Sequence, residues 1–352
     1  MKLRELLASV KDIVQLTEHP AMDMEIHGLT TNSHATSEGD VFIGMPGTRV
    51  DGGEFWESAI GAGAIAAVIS EQAAEKVPAS GQESACVIVA SDMTKVCAKL
   101  AAAFYGYPGH AMKLVGVTGT NGKTTTSHLI EYFLERADSS VALMGTLYTR
   151  WKGFNETAVH TTPFAVELQK QLAAAVNAGN EYGVMEVSSH ALAQGRVSGC
   201  QFEVAVFSNL TQDHLDYHKD MEDYFSAKAL LFTPEYLGGR AIINIDDAYG
   251  KRLVDALGKD KTWSYSVDNS GADLWMSDLS YEPNGVSGIM HTPMGDVSFR
   301  SPLVGQYNLE NLLSAVGAVL HLGIDIQVIA GAIADFPGVP GRMERVQVET
   351  VQ

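Results

Sequence analysis

The chain has 352 residues, 46% of them hydrophobic and 19% charged, and its formal net charge is −18. This length and composition predict two or three globular domains. The acidity argues against a protein that coats nucleic acid or lies on an anionic membrane, because both surfaces are negative and the chain has no run of basic residues.

The cysteines and the N-terminal segment indicate the compartment in which the protein resides. The three cysteines follow no metal-binding or disulfide spacing, as expected for a protein kept in a reducing compartment. The first residues are amphipathic and lack the apolar core of a secretion signal, and no stretch is long enough to span a bilayer. We therefore expect a cytoplasmic protein with no membrane or nucleic-acid partner.

Residues 1–108 predict a small α/β domain. Helical spacing at 3–14 and 93–105 flanks short apolar runs at 40–44, 66–70 and 86–90 that are typical of strands. The turn-rich segment 106–110 predicts a domain boundary. We place a second domain at 109–340 and the start of a linker at 341–352.

The pattern changes after this boundary. Nearly uncharged runs at 114–117, 141–144, 182–187, 203–207 and 241–245 alternate with helical patterns at 124–137, 163–178, 190–196, 221–232 and 248–257. Such strands predict a mostly parallel sheet flanked by helices, and hence an α/β fold. Residues 272–300 alternate and turn twice, which predicts an antiparallel edge, and helices are expected at 309–322 and 326–336.

A glycine-bearing loop, TGTNGKT at 118–124, joins a predicted strand to a predicted helix. Its glycines let backbone N–H groups turn toward a phosphate, and the helix N-terminus adds its positive dipole end. Lys123 can reach the β- and γ-phosphates of ATP, and the Thr124 hydroxyl can ligate Mg²⁺. Val117 stands where the strict Walker A pattern has glycine, so the loop is a variant, and a plain glycine turn is the alternative. The predicted nucleotide-binding residues here are Gly119, Thr120, Asn121, Gly122, Lys123, Thr124 and Thr125.

Four further segments follow in order: HTTP at 160–163, MEVSSHALAQGR at 185–196, NLTQDHLD at 209–216 and YFSAKALLF at 224–232. Together with the phosphate loop they resemble the Mur ligases, and most closely the E type. The resemblance implies an ATP-dependent ligase that adds a diamino acid, expected to be meso-diaminopimelate, to UDP-MurNAc-L-Ala-D-Glu through an acyl phosphate. Addition of lysine stays open. So does glutamate addition to a pteroate, because folylpolyglutamate synthases share the loop.

The resemblance also implies ATP, two Mg²⁺ ions and a carbamylated lysine at Lys228. The implied catalytic residues are Lys123, Lys228, His214 and Glu186, and the implied metal ligands are Thr124, Glu186, His214 and Lys228. Carbamylation by CO₂ would turn the Lys228 cation into a carboxylate that binds metal. Residue types alone leave Glu186 as an ordinary strand-end carboxylate, His214 in a solvated loop or a zinc site, and Lys228 as a solvated lysine.

Two groups of residues resemble the family's substrate contacts. The uridine and pyrophosphate pocket would use Thr31, Ser33, Thr48, Arg49 and Val50, although Asn32 and His34 replace the usual aspartate and arginine. The muramoyl-peptide would contact His160, Thr161, Thr162, Ser188, Gln194 and Arg196. Thr162 followed by Pro163 also predicts a helix N-cap, and Arg196 has a plain surface charge as its alternative.

The last segments concern the base and the chain end. Asn308 and Asn311 resemble the asparagines that contact the nucleotide base, with Asn308 as a helix cap in the alternative. Arg342, in the closing PGR turn, is expected to face the ATP phosphates. Family members continue into a Rossmann-like C-terminal domain that recognises the amino acid. We therefore expect that this chain lacks that domain and cannot complete the ligation alone. We also expect it to be a monomer. An inactive binding fragment, or a non-wall role as in plastid relatives, are the alternatives.

Overall fold

The structure is a computed structural model, and it describes residues 1–15, 18–47, 49–78, 81 and 84–342. The chain forms two compact units. The first comprises Met1–His110, Pro163–Ala174 and Ala193–Cys200, and the second comprises Ala111–Thr162, Ala175–Leu192 and Gln201–Gln352. The domain bounds expected at 108 and 340 stay predictions.

The first unit contains a five-stranded sheet in the order β1-β5-β4-β3-β2. All neighbouring pairs are parallel except β1 and β5. The strands are β1 (Ile13–Gln15), β2 (Gly28–Thr30), β3 (Asp40–Ile43), β4 (Ala66–Ser70) and β5 (Val87–Ala90), and the helices are α1 (Leu3–Ala8), α2 (Trp56–Gly61), α3 (Glu71–Ala74) and α4 (Met93–Phe104).

The single helix predicted over 3–14 is wrong. The helix stops at Ala8, and Ile13 instead pairs with Ala90 as an edge strand. The apolar stripe of Leu3, Leu6 and Leu7 is buried, but the chain turns after it, so the later apolar residues serve a strand. A short apolar run fits both the roughly 3.6-residue period of a helix and the two-residue period of a strand, so the sequence alone does not decide between them.

The second unit contains an eight-stranded sheet in the order β13-β12-β11-β6-β10-β7-β8-β9. Its strands are β6 (Lys113–Thr118), β7 (Val141–Met144), β8 (Tyr148–Trp151), β9 (Phe154–Thr157), β10 (Tyr182–Glu186), β11 (Phe202–Phe207), β12 (Leu237–Asn244) and β13 (Thr262–Tyr265). The pairs from β13 to β7 are parallel, and β8 and β9 form an antiparallel edge. The predicted α/β fold with a mostly parallel sheet is confirmed.

The antiparallel segment predicted over 272–300 forms a sheet of its own. It consists of β14 (Trp275–Glu282), β15 (Gly285–Thr292) and β16 (Gly295–Ser301), so the prediction of antiparallel pairing is confirmed, but its position at the edge of the main sheet is wrong. The alternation of apolar and polar residues indicates which side chains share a face of a sheet. It does not indicate which sheet the strand joins.

Helices pack against the large sheet, and α10 supplies much of the core beside α5 through Leu309, Leu312 and Leu313. The later helices of the chain are α5 (Lys123–Arg136), α6 (Ala165–Asn177), α7 (Ser189–Ala193), α8 (Met221–Ala229), α9 (Ala248–Leu257), α10 (Gln306–His321) and α11 (Ile326–Ile333). Most of α6, up to Ala174, belongs to the first unit. No helix in the described part of the chain is long and apolar enough to cross a membrane.

The Asp247 carboxylate ties together two loops at the carboxyl edge of this sheet. Its Oδ1 caps α9 by accepting the Tyr249 N–H at 2.8 Å and the Gly250 N–H at 3.2 Å. Its Oδ2 accepts the Leu210 N–H at 2.8 Å, in the loop after β11. The same side chain therefore starts a helix and positions the neighbouring loop.

We expect Asp247→Ala to lower the free energy of unfolding by about 2–3 kcal/mol, since it removes a cap and leaves the Leu210 N–H without its acceptor. Asp325→Ala is the matched control. It removes only the cap bond to the Gln327 N–H in α11, 2.7 Å long, and should cost about 1 kcal/mol. Denaturant midpoints followed by circular dichroism measure both losses. Equal losses would show that the bond to Leu210 contributes nothing.

Candidate active site

The loop between β6 and α5 requires glycine at two positions. Gly119 and Gly122 have φ angles of 148° and 88°, which L-residues with a Cβ rarely adopt. A Cβ on Gly119 would lie 1.9 Å from Ser208 Oγ, and one on Gly122 would lie 2.3 Å from Asn311 Oδ1. The strand–loop–helix arrangement predicted for residues 118–124 is present.

The loop after β11 holds the phosphate loop in shape. Asn121 donates its N–H to Asn209 Oδ1 at 2.9 Å, and Ser208 Oγ donates to Asn121 O at 2.5 Å. Thr211 donates its N–H to Thr120 Oγ1 at 3.0 Å. These supports were not predicted from the sequence. Polar residues directly after a buried strand were the available signal.

Lys123 folds back onto its own loop. Its Nζ donates to Gly119 O and to Thr120 O, each at 2.9 Å. Burial lowers the pKa of Lys123, and the Arg342 charge lowers it further, while Glu186 and Asp213 act in the opposite direction. The expectation that Arg342 faces the ATP phosphates stays a prediction.

A buried network surrounds Glu186, which ends β10 and is 1% exposed. Its Oε2 accepts from Thr124 Oγ1 at 3.1 Å and from Thr146 Oγ1 at 2.9 Å, and its Oε1 accepts the Thr146 N–H at 2.8 Å. Thr146 Oγ1 also lies 3.2 Å from Thr161 Oγ1. Sequence reasoning missed Thr146. It follows β7, the neighbour of β10, so its place at the carboxyl edge was the signal.

The Thr124 and Glu186 oxygens suit a magnesium ion. Mg²⁺ prefers oxygen ligands in octahedral geometry with bonds of about 2.1 Å, which places adjacent ligand oxygens about 3 Å apart. The separation of Thr124 Oγ1 and Glu186 Oε2 is 3.1 Å. The two side chains therefore fit neighbouring positions around one ion.

Thr162 contacts the end of β10. Its Oγ1 donates to Glu186 O at 2.8 Å and accepts the Ser188 N–H at 3.1 Å. Ser188 Oγ accepts the Ala191 N–H at 3.1 Å in α7. The prediction that Thr162 caps a helix is wrong, because α6 begins at Ala165 and the hydroxyl bonds to the end of β10 instead. The adjacent His160 is exposed.

Lys228, on α8, is 1% exposed, so its interpretation as a solvated lysine is wrong. Its Nζ donates to Gly119 O at 2.8 Å and lies 4.7 Å from the Tyr224 ring centroid. Within the described ranges it has no ion pair with a carboxylate. Burial holds the pKa of Lys228 well below its ordinary value, and the nearby Lys123 charge adds to this.

His214 has a left-handed backbone with φ of 55° and is exposed. Its Nε2 lies 3.4 Å from Asp213 Oδ2, and its ring lies 4.9 Å from His190 and 6.0 Å from Tyr224. The contacts of the four predicted metal ligands fall into two groups: Thr124 meets Glu186 directly, and His214 and Lys228 meet the same Tyr224 ring. The described residues contain no group of three or more His, Cys, Asp or Glu that could hold a metal ion.

The asparagines of α10 are both buried. Asn311 Oδ1 accepts from Thr126 Oγ1 at 3.4 Å, and Asn308 Nδ2 donates to Val304 O at 2.9 Å. The alternative in which Asn308 caps the helix is wrong, because α10 begins at Gln306 with Gly305 as the N-cap residue.

The predicted uridine residues lie in the first unit. Asn32 Oδ1 accepts the His34 N–H at 3.0 Å and so starts a short turn. An aspartate would make the same bond, so the change at position 32 preserves the local fold. Ser33 is buried, and Thr31 and His34 are exposed.

The remaining predicted substrate residues occupy two further sites of the first unit. Arg49 and Val50 are exposed in a turn that Gly47 closes by donating its N–H to Val50 O at 3.1 Å. Thr48 lies outside the described residues. Arg196 Nε donates to Gln194 Oε1 at 3.0 Å, and its guanidinium lies 4.1 Å from the Phe164 ring centroid.

Two protein families match this chain. The Mur ligase middle domain matches residues 117–319, and the family described as "Mur ligase family, catalytic domain" matches residues 25–105. The chain therefore belongs to the Mur ligase family, and the predicted resemblance is confirmed.

Individual relatives are named as one kind of Mur ligase. The chain is 73% identical over 352 residues to the UDP-N-acetylmuramoyl-L-alanyl-D-glutamate–2,6-diaminopimelate ligase of Trichormus variabilis, a match that covers 100% of this chain and 70% of the relative. It is 59% identical over 360 residues to the ligase of that name from Synechocystis sp., covering 100% of this chain and 71% of the relative. The rest of each relative has no counterpart in these residues.

Solved structures of Mur ligases are similar to this chain. A structure of a UDP-N-acetylmuramoyl-L-alanyl-D-glutamate–2,6-diaminopimelate ligase has a TM-score of 0.84 and 29% identity, covering 99% of this chain and 69% of that chain. A MurF ligase from Thermotoga maritima in complex with ADP has a TM-score of 0.61 at 19% identity, covering 92% of this chain and 69% of that chain. This second likeness shows the fold alone.

We expect Gly122→Ala to weaken ADP binding at least ten-fold and to destabilise the second unit, because the new Cβ meets Asn311 in a backbone conformation that disfavours it. Gly258→Ala is the matched control, since Gly258 also has a positive φ of 80° but open space around its Cβ position. It should cost about 1 kcal/mol of stability and leave ADP affinity unchanged. Calorimetric titration measures both variants. Unchanged affinity in Gly122→Ala would contradict a phosphate-binding role for the loop.

Proposed function

We propose that this chain carries the ATP-dependent step of peptidoglycan precursor synthesis that adds meso-diaminopimelate to UDP-MurNAc-L-Ala-D-Glu. The 73% identity over the whole chain to a ligase of that name is the observation that carries the proposal. The glycine loop beside the buried Thr124–Glu186 pair supports it chemically, because phosphoryl transfer depends on holding and neutralising phosphate oxygens.

The reaction would proceed in two steps. A carboxylate oxygen of the D-Glu residue attacks the γ-phosphorus of ATP, the bond to the bridging oxygen breaks, and ADP leaves. The amine of diaminopimelate then attacks the acyl carbon, inorganic phosphate leaves, and the amine gives up a proton. Both steps bring anions together, so the site must position them and balance their charge.

The residues of the second unit suit these tasks. The loop amides from Gly119 to Thr124 and the N-terminus of α5 would bind the phosphates. Lys123 would exchange its bonds to the loop carbonyls for a phosphate oxygen, and Arg342 would add a second positive charge. Thr124 and Glu186 would hold a Mg²⁺ ion, which supplies charge neutralisation at the phosphates.

Lys228 is proposed to carry a carbamate, which forms when the neutral amine attacks CO₂ and a proton is released. The support is geometric. Lys228 is 1% exposed and donates to one carbonyl, so a positive charge on its amine is costly in free energy. The positive charge of the neighbouring Lys123 raises this cost. A carbamate would reverse the charge. With His214, it would then be able to hold the second Mg²⁺.

Carbon-13 NMR of the chain in labelled bicarbonate tests this proposal. We expect a carbamate resonance in the wild type and in Lys219→Ala, which removes an exposed lysine, and none in Lys228→Ala. Only the neutral amine reacts, and the pKa of Lys228 is lowered, so the resonance should persist to lower pH than for an exposed lysine. It should disappear on acidification through that pKa. A wild type without the resonance at high bicarbonate would refute the carbamate.

Trapping with hydroxylamine tests the first chemical step without an amino-acid site. With ATP, Mg²⁺ and UDP-MurNAc-L-Ala-D-Glu we expect a hydroxamate of the precursor, detected by mass spectrometry. Glu186→Gln should reduce its rate at least 100-fold by removing a metal ligand, whereas the exposed Glu181→Gln should not.

Other results of this experiment would favour one of the alternative functions. Binding of ATP and precursor without hydroxamate would favour an inactive binding fragment. Hydroxamate formed on pteroate alone would favour a folylpolyglutamate-type ligase. Replacing hydroxylamine with diaminopimelate or lysine compares the two amino acids, and tripeptide formed by this chain would refute the expectation that it cannot ligate alone.

A further inference from the structure

The side chain of His218 joins two helices that lie next to predicted metal ligands. It is 2% exposed, its Nε2 lies 3.0 Å from Ser189 Oγ, and its Nδ1 lies 3.3 Å from Asp223 Oδ2. Ser189 begins α7, three residues after Glu186 at the end of β10. Asp223 is on α8, five residues before Lys228. One buried ring therefore connects the helix that follows one predicted ligand to the helix that carries another.

The two bonds of this ring do not depend on its charge. A carboxylate oxygen only accepts, so Nδ1 carries the hydrogen that points to Asp223. The Ser189 hydroxyl can donate or accept, so it can bond to Nε2 whether or not that nitrogen carries a hydrogen. Rotation of the ring would break both bonds where water does not replace them, and the ring is therefore fixed in one orientation.

The backbone of His218 closes the turn that begins at His214. The His218 N–H donates to His214 O at 2.9 Å, and the Tyr217 N–H donates to the same oxygen at 3.1 Å. His214 has a φ of 55°, a left-handed conformation that costs free energy for a residue with a Cβ and persists where the surroundings hold it. A turn that ends in a buried side chain with two hydrogen bonds supplies such surroundings.

Aromatic contacts place the His214 ring beside the same two helices. The Tyr224 ring of α8 lies 5.0 Å from the His218 ring and 6.0 Å from the His214 ring. The His190 ring of α7 lies 5.7 Å from His218 and 4.9 Å from His214. Both histidines thus contact both helices, so a shift of either helix would move the His214 ring.

We infer that His218 is a positioning residue for the second metal ion of the proposed reaction. It fixes the loop of His214 against α7, which follows Glu186, and against α8, which carries Lys228. The inference rests on the proposed function, in which His214 and a carbamate on Lys228 hold that ion. His218 itself makes no metal contact in this arrangement, because both of its ring nitrogens are already bonded.

Electron paramagnetic resonance of Mn²⁺, with ADP and bicarbonate present, tests the inference on the 352-residue chain. We expect the wild type to bind two Mn²⁺ ions. His218→Leu removes both ring bonds and should weaken the second ion at least ten-fold, while the ADP-dependent ion at Thr124 and Glu186 is retained. His218→Gln, whose amide can bond to Ser189, should restore much of the second affinity. Ser189→Ala removes one bond and should weaken the second ion by a smaller factor.

The matched control is His291→Leu, in the three-stranded sheet. His291 Nε2 lies 2.9 Å from Ser277 Oγ and its Nδ1 lies 3.0 Å from Asp296 Oδ1, so the same kind of ring bonding is lost where no metal ligand is predicted. This variant should bind both ions as the wild type does. Circular dichroism melting shows which variants are folded.

The outcomes separate the inference from the proposed function. Two ions bound with wild-type affinity by His218→Leu would overturn the inference alone. Equal weakening of both ions, or the same weakening in His291→Leu, would also overturn it, because His218 would then act only on general stability. If His218→Leu does not fold, an unchanged second affinity in Ser189→Ala overturns it. A wild type that binds one ion or none overturns the proposed two-metal function, and the inference with it.

Discussion

The buried carboxylate of Glu186 is the constraint on which the site depends. A carboxylate removed from water must be compensated by hydrogen bonds or by a cation. Thr124 and Thr146 supply three hydrogen bonds, and through them the end of β10 is joined to the start of α5 and to the residues after β7. Two strands of the sheet and the start of one helix are thereby held in one arrangement.

Two neighbouring lysines, the half-buried Lys123 and the buried Lys228, pose the opposite problem. Lys123 and Lys228 both donate to Gly119 O, so two amines share one carbonyl in a protein with a net charge of −18. The acidity of the whole chain does not relieve this local repulsion, because neither amine forms an ion pair within the described residues. Bound phosphates at Lys123 and a carbamate on Lys228 would both relieve it. Both of these groups would come from solution.

Much of this was predictable from the sequence. The strands β4 and β7 and the helix α9 lie where their patterns predict, because uninterrupted apolar runs and well-spaced apolar faces leave little ambiguity. The phosphate loop was predictable because its chemistry requires glycines, lysine and threonine at fixed spacing. The ends of short elements were less predictable: the stretch after Ala8 becomes a strand only because Ile13 finds Ala90 far along the chain. Thr146 and Ser208 were missed for a similar reason, since neither belongs to a motif and only the fold shows what surrounds them.

Thr124 and Glu186 are proposed to form a metal site beside the phosphate loop. Electron paramagnetic resonance of Mn²⁺, used in place of Mg²⁺, tests it most directly when ADP is added to the wild type and to Thr124→Val, which replaces one hydroxyl with a methyl group of similar size. The buried Thr149→Val serves as the control for a lost threonine hydroxyl. We expect ADP-dependent Mn²⁺ binding in the wild type and the control, and binding at least ten-fold weaker in Thr124→Val. Equal Mn²⁺ affinity in all three proteins would show that Thr124 is not a metal ligand.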